Sequence, residues 1–296
     1  MARRSLRLHQ AHHEGANVFK PMFINAAESR ARQPRAVLRA MLGGFASSPY
    51  AAYRLAIKDI KGGYARSFFG LLWDLADPLV FGAIFYFLVG AGVLHPGEMA
   101  IPYALFVTYG MLLYQTFTEA LLSSLRLFKN SRGLLAHAKI APEVLLLSVF
   151  FRCLFSSVFR VVVLLVLTLG LLEVSLSRIG GLGLFLLCWP LLIGAGMAIG
   201  VALAPLNAIY SDVERAANVI LLPLRFATPV FYNIGSATLI LCNPVAVLIV
   251  NLRDVAAGQG FYHLPALLAW SAALGLLFFI GAFVFHVAVP VLAERA

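Results

Sequence analysis

Four charged side chains interrupt long apolar stretches of this sequence: Asp77, Glu119, Arg152 and Arg225. If the stretches are helices that cross a membrane, each charge lies roughly 7–13 Å from the polar end of its stretch, at ~1.5 Å of rise per residue. The four charges would then lie at similar depths in the membrane. Charged groups inside an apolar medium are costly unless they are paired or hydrated. The spacing therefore predicts a layer of ion pairs in which Arg152 contacts Asp77 or Glu119. Separate extension of each side chain to the membrane surface is the alternative.

Catalytic and metal-binding patterns are missing from the sequence. It contains no G-x-x-x-x-G-K-[ST] loop and no H-E-x-x-H spacing, and its acids are spread singly rather than clustered. The three cysteines, Cys153, Cys188 and Cys242, are widely spaced in apolar surroundings, which favours small buried side chains over a metal or disulfide framework. We therefore expect a protein that is not an enzyme and holds no metal or cofactor. A membrane-embedded transferase or an ion-coupled transporter are the alternatives from other classes.

Composition predicts an integral membrane protein. Of the 296 residues, 61% are hydrophobic and 12% charged, with a mean hydropathy of +0.88. Soluble domains have roughly 45–50% apolar and ~25% charged residues. Several apolar runs reach the ~20 residues that a helix needs to cross a bilayer, and strand-type alternation is missing. The expected fold class is therefore an all-α membrane protein.

Six apolar spans can be assigned, and an even number returns the C-terminus to the side of the N-terminus. They lie at 72–94, 101–125, 144–172, 182–207, 216–232 and 264–291. The stretch 233–258 is too short and too broken to cross alone, which predicts a re-entrant element on the outer face. An outer gate is expected at its edges, formed by Pro229, Asn243, Pro244, Arg253 and Asp254.

Positive charge is concentrated at the N-terminus. Residues 1–66 hold twelve Lys and Arg against three acids, whereas the rest of the chain is nearly balanced. The positive-inside rule then places both termini in the cytoplasm, and the absence of an apolar run after the first ten residues argues against a cleaved signal peptide. Nucleic-acid binding is the competing interpretation, but the tail has no recognisable nucleic-acid fold and adjoins a membrane domain, so no nucleic-acid partner is expected.

An amphipathic segment separates the tail from the first span. Apolar residues recur every three or four positions from Tyr53 to Leu71, opposite a basic face, which is typical of a helix lying on the membrane surface. Its candidate functional residues are Arg54, Lys58, Asp59, Lys61, Tyr64 and Arg66. The expected organisation is a basic tail at 1–49, an interfacial helix at 50–71, a six-span domain at 72–291 and a short tail at 292–296.

Three stretches resemble one family. They are KDIKGGYARSFFGLLWDLADPLV at 58–80, NAIYSDVERAANVILLPLRFATPVFY at 207–232 and NPVAVLIVNLRDVAAG at 243–258. Together they resemble the polysaccharide-exporting permeases of ATP-binding-cassette transporters, and the resemblance covers about 50–291. The acid before the first-span proline, Asp77-Pro78, is similar to the capsular polysaccharide branch. O-antigen and teichoic-acid permeases are the alternatives.

The resemblance implies a homodimer in the bacterial inner membrane that exports a lipid-linked capsular polysaccharide. A separate ATPase subunit would bind ATP and Mg²⁺, because this chain lacks a phosphate-binding loop, and a periplasmic or outer-membrane export component would complete the route. Coupling to the ATPase is expected at two cytoplasmic links. Their candidate residues are Tyr210, Ser211, Asp212, Glu214 and Arg215 in one, and Lys129, Asn130, Arg132, His137 and Lys139 in the other.

Aromatic residues are the candidates for the translocation pathway, because rings stack weakly and repeatedly on sugar C–H faces. Span one supplies Trp73, Phe81 and Phe85, and span five supplies Phe226, Phe231 and Tyr232. A tighter aromatic stripe on span two, formed by Tyr103, Phe106, Tyr114 and Phe117, is the alternative, although such stripes are more often packing core. Gly196 and Gly200 form a G-x-x-x-G on span four, which favours close packing inside one subunit over a dimer face.

Overall fold

The computed structural model describes residues 34–64, 73–93, 95, 101–137, 141–173, 175–232 and 237–293. Within these ranges the chain forms twelve helices and no strand. They are α1 (Pro34–Ser47), α2 (Pro49–Tyr64), α3 (Trp73–Gly90), α4 (Tyr103–Leu125), α5 (Leu127–His137), α6 (Pro142–Leu171), α7 (Leu176–Cys188), α8 (Pro190–Ile209), α9 (Asp212–Ala227), α10 (Ala237–Cys242), α11 (Pro244–Ala256) and α12 (Leu264–Ala293). Residues 1–33 of the predicted tail, together with Arg66 and Lys139, lie outside the described residues.

Four helical stretches are long and apolar enough to cross a membrane. Among the described residues these are Trp73–Gly90, Pro142–Leu171, Leu176–Ile209 and Leu264–Val289. The third joins α7 and α8, with Pro190 at the first turn of α8, where proline is tolerated. The structure therefore supports an all-helical fold with four candidate spans. The predicted spans at 101–125 and 216–232 do not reach this standard, since α4 carries many polar side chains and α9 has only 16 residues.

Helix α4 lies at the centre of the fold. Nearly all of its length is buried, from Leu105 to Leu125, by contacts with α3, α6 and above all α8. The glycine pair of α8 makes this approach possible. A Cβ on Gly196 would collide with the carbonyl oxygen of Phe117, and one on Gly200 with that of Leu121. The G-x-x-x-G motif thus packs inside the chain.

As far as Tyr64, the amphipathic segment forms α2, which packs on α6. Ala52 and Ala56 are buried in this contact, and the ring of Tyr53 meets that of Phe151 edge-on at 6.1 Å between centroids. The basic residues Arg54, Lys58 and Lys61 are exposed, as the amphipathic pattern indicates.

Helix α1 is a second amphipathic element, within the predicted tail. It packs against α6 and α12, where Phe45 contacts Phe278 at 6.4 Å between ring centroids. Gly44 lies directly against the carboxylate of Glu143, which is 2.6 Å from Nδ1 of His286. The described part of the tail is therefore held by contacts at the start of α6 and in the middle of α12.

Helix α11 is enclosed by other helices. Eleven of its residues, from Val245 to Ala256, are buried, with α7, α4 and α12 as its main neighbours. Its N-terminus is capped by the side-chain oxygen of Asn243, which accepts from the backbone N–H groups of Val245 and Ala246 at 3.0 and 3.3 Å. Within 233–258 the described residues up to Ala256 form the helices α10 and α11, separated by Asn243.

Candidate functional site

Aromatic side chains of α3, α4 and the end of α9 meet in one cluster, with Phe231 at its centre. Its ring centroid lies 6.1 Å from that of Phe81, 5.7 Å from that of Phe85 and 5.3 Å from that of Phe226. Tyr103 anchors the arrangement by donating its hydroxyl to the carbonyl of Phe231 at 2.6 Å. We name Phe81, Phe85, Tyr103, Phe106, Phe226 and Phe231 the aromatic cluster. The structure thereby brings together four of the six predicted pathway residues.

The other two pathway candidates lie at its edge or outside it. Tyr232 is exposed and donates its hydroxyl to the carbonyl of Phe226. Trp73 is 64% exposed, at the start of α3. The predicted stripe on α4 divides: Tyr103 and Phe106 stack at 6.1 Å in the cluster, whereas Tyr114 and Phe117 are buried in the core.

Three of the five predicted outer-gate residues, Pro229, Asn243 and Arg253, meet at the turn that follows α9. Arg253 is buried, donates to the carbonyl of Pro229 at 3.1 Å and lies 3.7 Å above the ring of Phe106. The side-chain amide of Asn243 donates to the hydroxyl of Thr228, in the same turn, at 3.2 Å. The Nε of Arg253 is also 3.9 Å from the Asp254 carboxylate. These contacts join α11 to the aromatic cluster. Pro244 follows Asn243 as the first residue of α11.

The intramembrane charges pair differently from the prediction. Glu119 binds Arg160 at 2.6 Å and accepts from Ser156 at 2.7 Å, and Arg160 is also 4.0 Å from Asp74. The predicted contacts of Arg152 with Asp77 or Glu119 are not formed. The reason is the register of α6, which places Arg160, eight residues beyond Arg152, opposite Glu119.

Asp77 and Arg225, the other predicted members of the ion-pair layer, do not join the Glu119 pair. Asp77 is exposed on α3 and makes no hydrogen bond or ion pair with the described residues. Arg225 lies 5.5 Å from the ring centroid of Tyr114, a cation–π contact. The sequence prediction missed Arg160 and Asp74. Arg160 lies in the middle of the third apolar span, which was itself a signal of an intramembrane ion pair.

One acid connects the two predicted cytoplasmic links. Glu214, in the first turn of α9, accepts from Arg126 at 2.8 Å and from Lys129 at 3.1 Å. The hydrogen bond from Lys129, with the charge of Arg126, lowers the pKa of Glu214. Asn207 adds a hydrogen bond to the carbonyl of Leu125 at 2.9 Å. The corner between α4 and α5 is therefore fixed to the region between α8 and α9.

Other link residues face outward. Asp212 and Arg215 form a 3.2 Å pair with more than 80% of each side chain exposed, and Tyr210 is 63% exposed. Ser211 lines a small cavity of about 390 Å³ beside Lys129. The side chains of Tyr64, Arg132 and His137 lie outside the described residues. The described surface at the start of α9 is open to a partner.

The described residues hold no group of three or more His, Cys, Asp or Glu side chains placed to bind a metal ion. All three cysteines are free, and only Cys153 is buried. The prediction of three buried thiols is wrong for Cys242, which is exposed in the short helix α10.

Comparison with known proteins identifies the family. Residues 51–255 match the family described as ABC-2 type transporter. Two curated relatives from Klebsiella pneumoniae, both named O-antigen export system permease protein RfbA, are each 26% identical to this chain over 206 residues. The alignments cover 67% of this chain and 76% of each relative. Because the family match spans more than half of the sequence and falls on an all-helical fold with several candidate spans, this chain belongs to the ABC-2 type transporter membrane family.

Proposed function

We propose that this protein is the non-catalytic permease subunit of an ATP-driven exporter that moves a lipid-linked polysaccharide across the bacterial inner membrane. The similarity to permeases named for O-antigen export carries this proposal. The aromatic cluster supports it, because its six members are uncharged rings, and rings can stack on sugar faces without holding a polymer tightly in place.

The polymer class has two candidates. The relatives are named for O-antigen export, and this favours an O-antigen type substrate. The Asp77-Pro78 step, with its acid exposed on α3, favours the capsular branch. We place the O-antigen type first because the similarity to those relatives extends over 206 residues, whereas the capsular assignment depends on one dipeptide.

The working assembly in this proposal is a homodimer of six-span subunits with both termini in the cytoplasm. Helix α4 supplies the second span, because its polar side chains face other helices rather than lipid. Helix α9 supplies the inner part of the fifth span, and α10 with α11 forms the re-entrant outer element. The aromatic clusters of two subunits would face a shared pathway, with Arg253, Asn243 and Pro229 closing its outer end.

Coupling to a separate ATPase runs through the start of α9. Exposed Asp212, Arg215 and Tyr210 are available to a soluble subunit. The Glu214 contacts with Arg126 and Lys129 would pass a displacement of that link to α4 at the centre of the fold. ATP and Mg²⁺ would bind the ATPase, and a periplasmic or outer-membrane component would accept the polymer.

Deletion of the gene, followed by analysis of the surface polymer, tests the proposal. We expect the surface polysaccharide to disappear while lipid-linked polymer accumulates on the cytoplasmic side, and a plasmid copy to restore export. The composition of the missing polymer decides between O-antigen and capsule. Unchanged surface polysaccharide in the deletion strain would contradict the proposal.

A further inference from the structure

Two adjoining crevices lie between α2 and the helices α4, α5 and α6. Their volumes are about 370 and 380 Å³. Four residues, Asp59, Ser123, Asn130 and Arg152, line both, so we treat them as one site and name it the α2 crevice. Each volume lies near the lower end of the range for small-ligand pockets, about 300–1,000 Å³.

Arg152 is the distinctive residue of the α2 crevice. It stands ten residues into α6, about 15 Å along the helix axis, and is half-buried. Yet it makes no hydrogen bond or ion pair with any residue that the structure describes. Glu119 lines the same crevice, but Arg160 and Ser156 already bind its carboxylate. A half-buried guanidinium that no described carboxylate pairs with is available to an anion.

The surroundings of Arg152 suit an anionic oxygen ligand. Lys58 lines one crevice and adds positive charge, while Ser123 and Asn130 offer hydroxyl and amide donors. Arg126 lines the other crevice, but its charge is already paired with Glu214. An arginine fork binds phosphate oxygens in a bidentate manner, which an isolated ammonium cannot do. Asp59 is the opposing charge, and it is exposed while lining both crevices.

We infer that the α2 crevice binds the phosphate or pyrophosphate group that joins the exported polymer to its lipid anchor. This inference rests on the proposed function, and it assigns to Arg152 a role in recognising the substrate headgroup. Apolar Ile60 and exposed Phe155 line one crevice beside the charges, so a lipid chain attached to the phosphate has an apolar exit. The same phosphate chemistry occurs in phospholipid headgroups and in free pyrophosphate.

Binding to the full-length chain in dodecyl maltoside tests this site. The probes are farnesyl pyrophosphate, farnesol, inorganic pyrophosphate and dioctanoyl phosphatidylglycerol, titrated by microscale thermophoresis. We expect farnesyl pyrophosphate to bind most tightly, and Arg152→Gln to weaken it by about tenfold or more because a charge-assisted pair is lost. Asp59→Asn should strengthen binding, since a repelling carboxylate is removed. Arg54→Gln, on the exposed face of α2 outside the crevice, is the matched control and should change nothing.

Three results would overturn the inference. The first is equal affinity of wild type and Arg152→Gln for farnesyl pyrophosphate. The second is equal affinity for inorganic pyrophosphate, which would indicate a free phosphate site. The third is tighter binding of the phosphatidylglycerol, which would indicate a phospholipid headgroup. None of them would change the deletion test, which follows the surface polymer, so failure of this site and failure of the proposed function are distinguishable.

Discussion

Arg160 of α6 and Glu119 of α4 form a 2.6 Å ion pair in which the arginine side chain is only 3% exposed. Asp74 of α3 lies 4.0 Å from the same guanidinium. The pair therefore joins the central helix to a neighbouring candidate span and brings α3, which carries part of the aromatic cluster, close to both. Loss of the arginine leaves Glu119 without its cationic partner.

Removing the arginine should destabilise the chain. We expect Arg160→Met to lower the melting temperature in detergent by roughly 5–10 °C, because breaking a buried pair costs about 3–5 kcal/mol. The double variant with Glu119→Gln should recover most of the loss, since neither charge then remains. Arg152→Gln is the control and should melt near the wild-type temperature. If Arg160→Met melts like wild type, the pair does not stabilise the fold.

The glycines of α8 give a prediction with a close control. Gly196→Ala should cost about 1–3 kcal/mol of stability, because its Cβ would meet the Phe117 carbonyl and lie 2.8 Å from the Cβ of Ala120. Gly194→Ala, two residues earlier, has open space at its Cβ and should be neutral or slightly stabilising. Equal melting temperatures for the two variants would show that α8 and α4 are not in such close contact.

The contacts of Glu214 predict a charge-dependent coupling defect. Glu214→Lys would place a third cation beside Arg126 and Lys129, so we expect export and substrate-stimulated ATP hydrolysis to be abolished while membrane insertion is retained. Adding Lys129→Glu should restore part of both activities by exchanging the charges. Asp212→Lys, at an exposed position, should leave thermal stability unchanged and weaken co-purification of the ATPase. Normal export by Glu214→Lys would show that Glu214 has no role in coupling export to the ATPase.

The exposed edge of the aromatic cluster should line the pathway. With Cys242 replaced by serine to remove an exposed thiol, Phe226→Cys and Tyr232→Cys should react with a polar thiol reagent, whereas Phe117→Cys should not. Phe226→Ala should reduce export severalfold and Phe226→Tyr should retain it, because stacking needs a ring. Phe279→Ala, an exposed ring on α12, is the control. Full export by Phe226→Ala would contradict the assignment.

The sequence predicted the helical class and the grouping of α3 and α9 aromatics, because composition and family-like stretches carry that information. It did not predict the partner of Glu119. A shift of eight residues along α6 changes which arginine binds Glu119, and no periodic pattern within a uniformly apolar run fixes that register. The apolar run at 101–125 predicted helix α4 as a span. Its polar side chains are accommodated because other helices surround them, and the sequence does not show those neighbours.

ATP-dependent transfer of lipid-linked polymer in inverted inner-membrane vesicles tests the central claim most directly. The vesicles carry this chain with its ATPase, and polymer that has crossed into the lumen becomes protected from an added glycosidase. The account predicts protection that requires ATP and is lost with Glu214→Lys. Equal protection without ATP, or in vesicles that lack this chain, would contradict the assignment of the protein as the export permease.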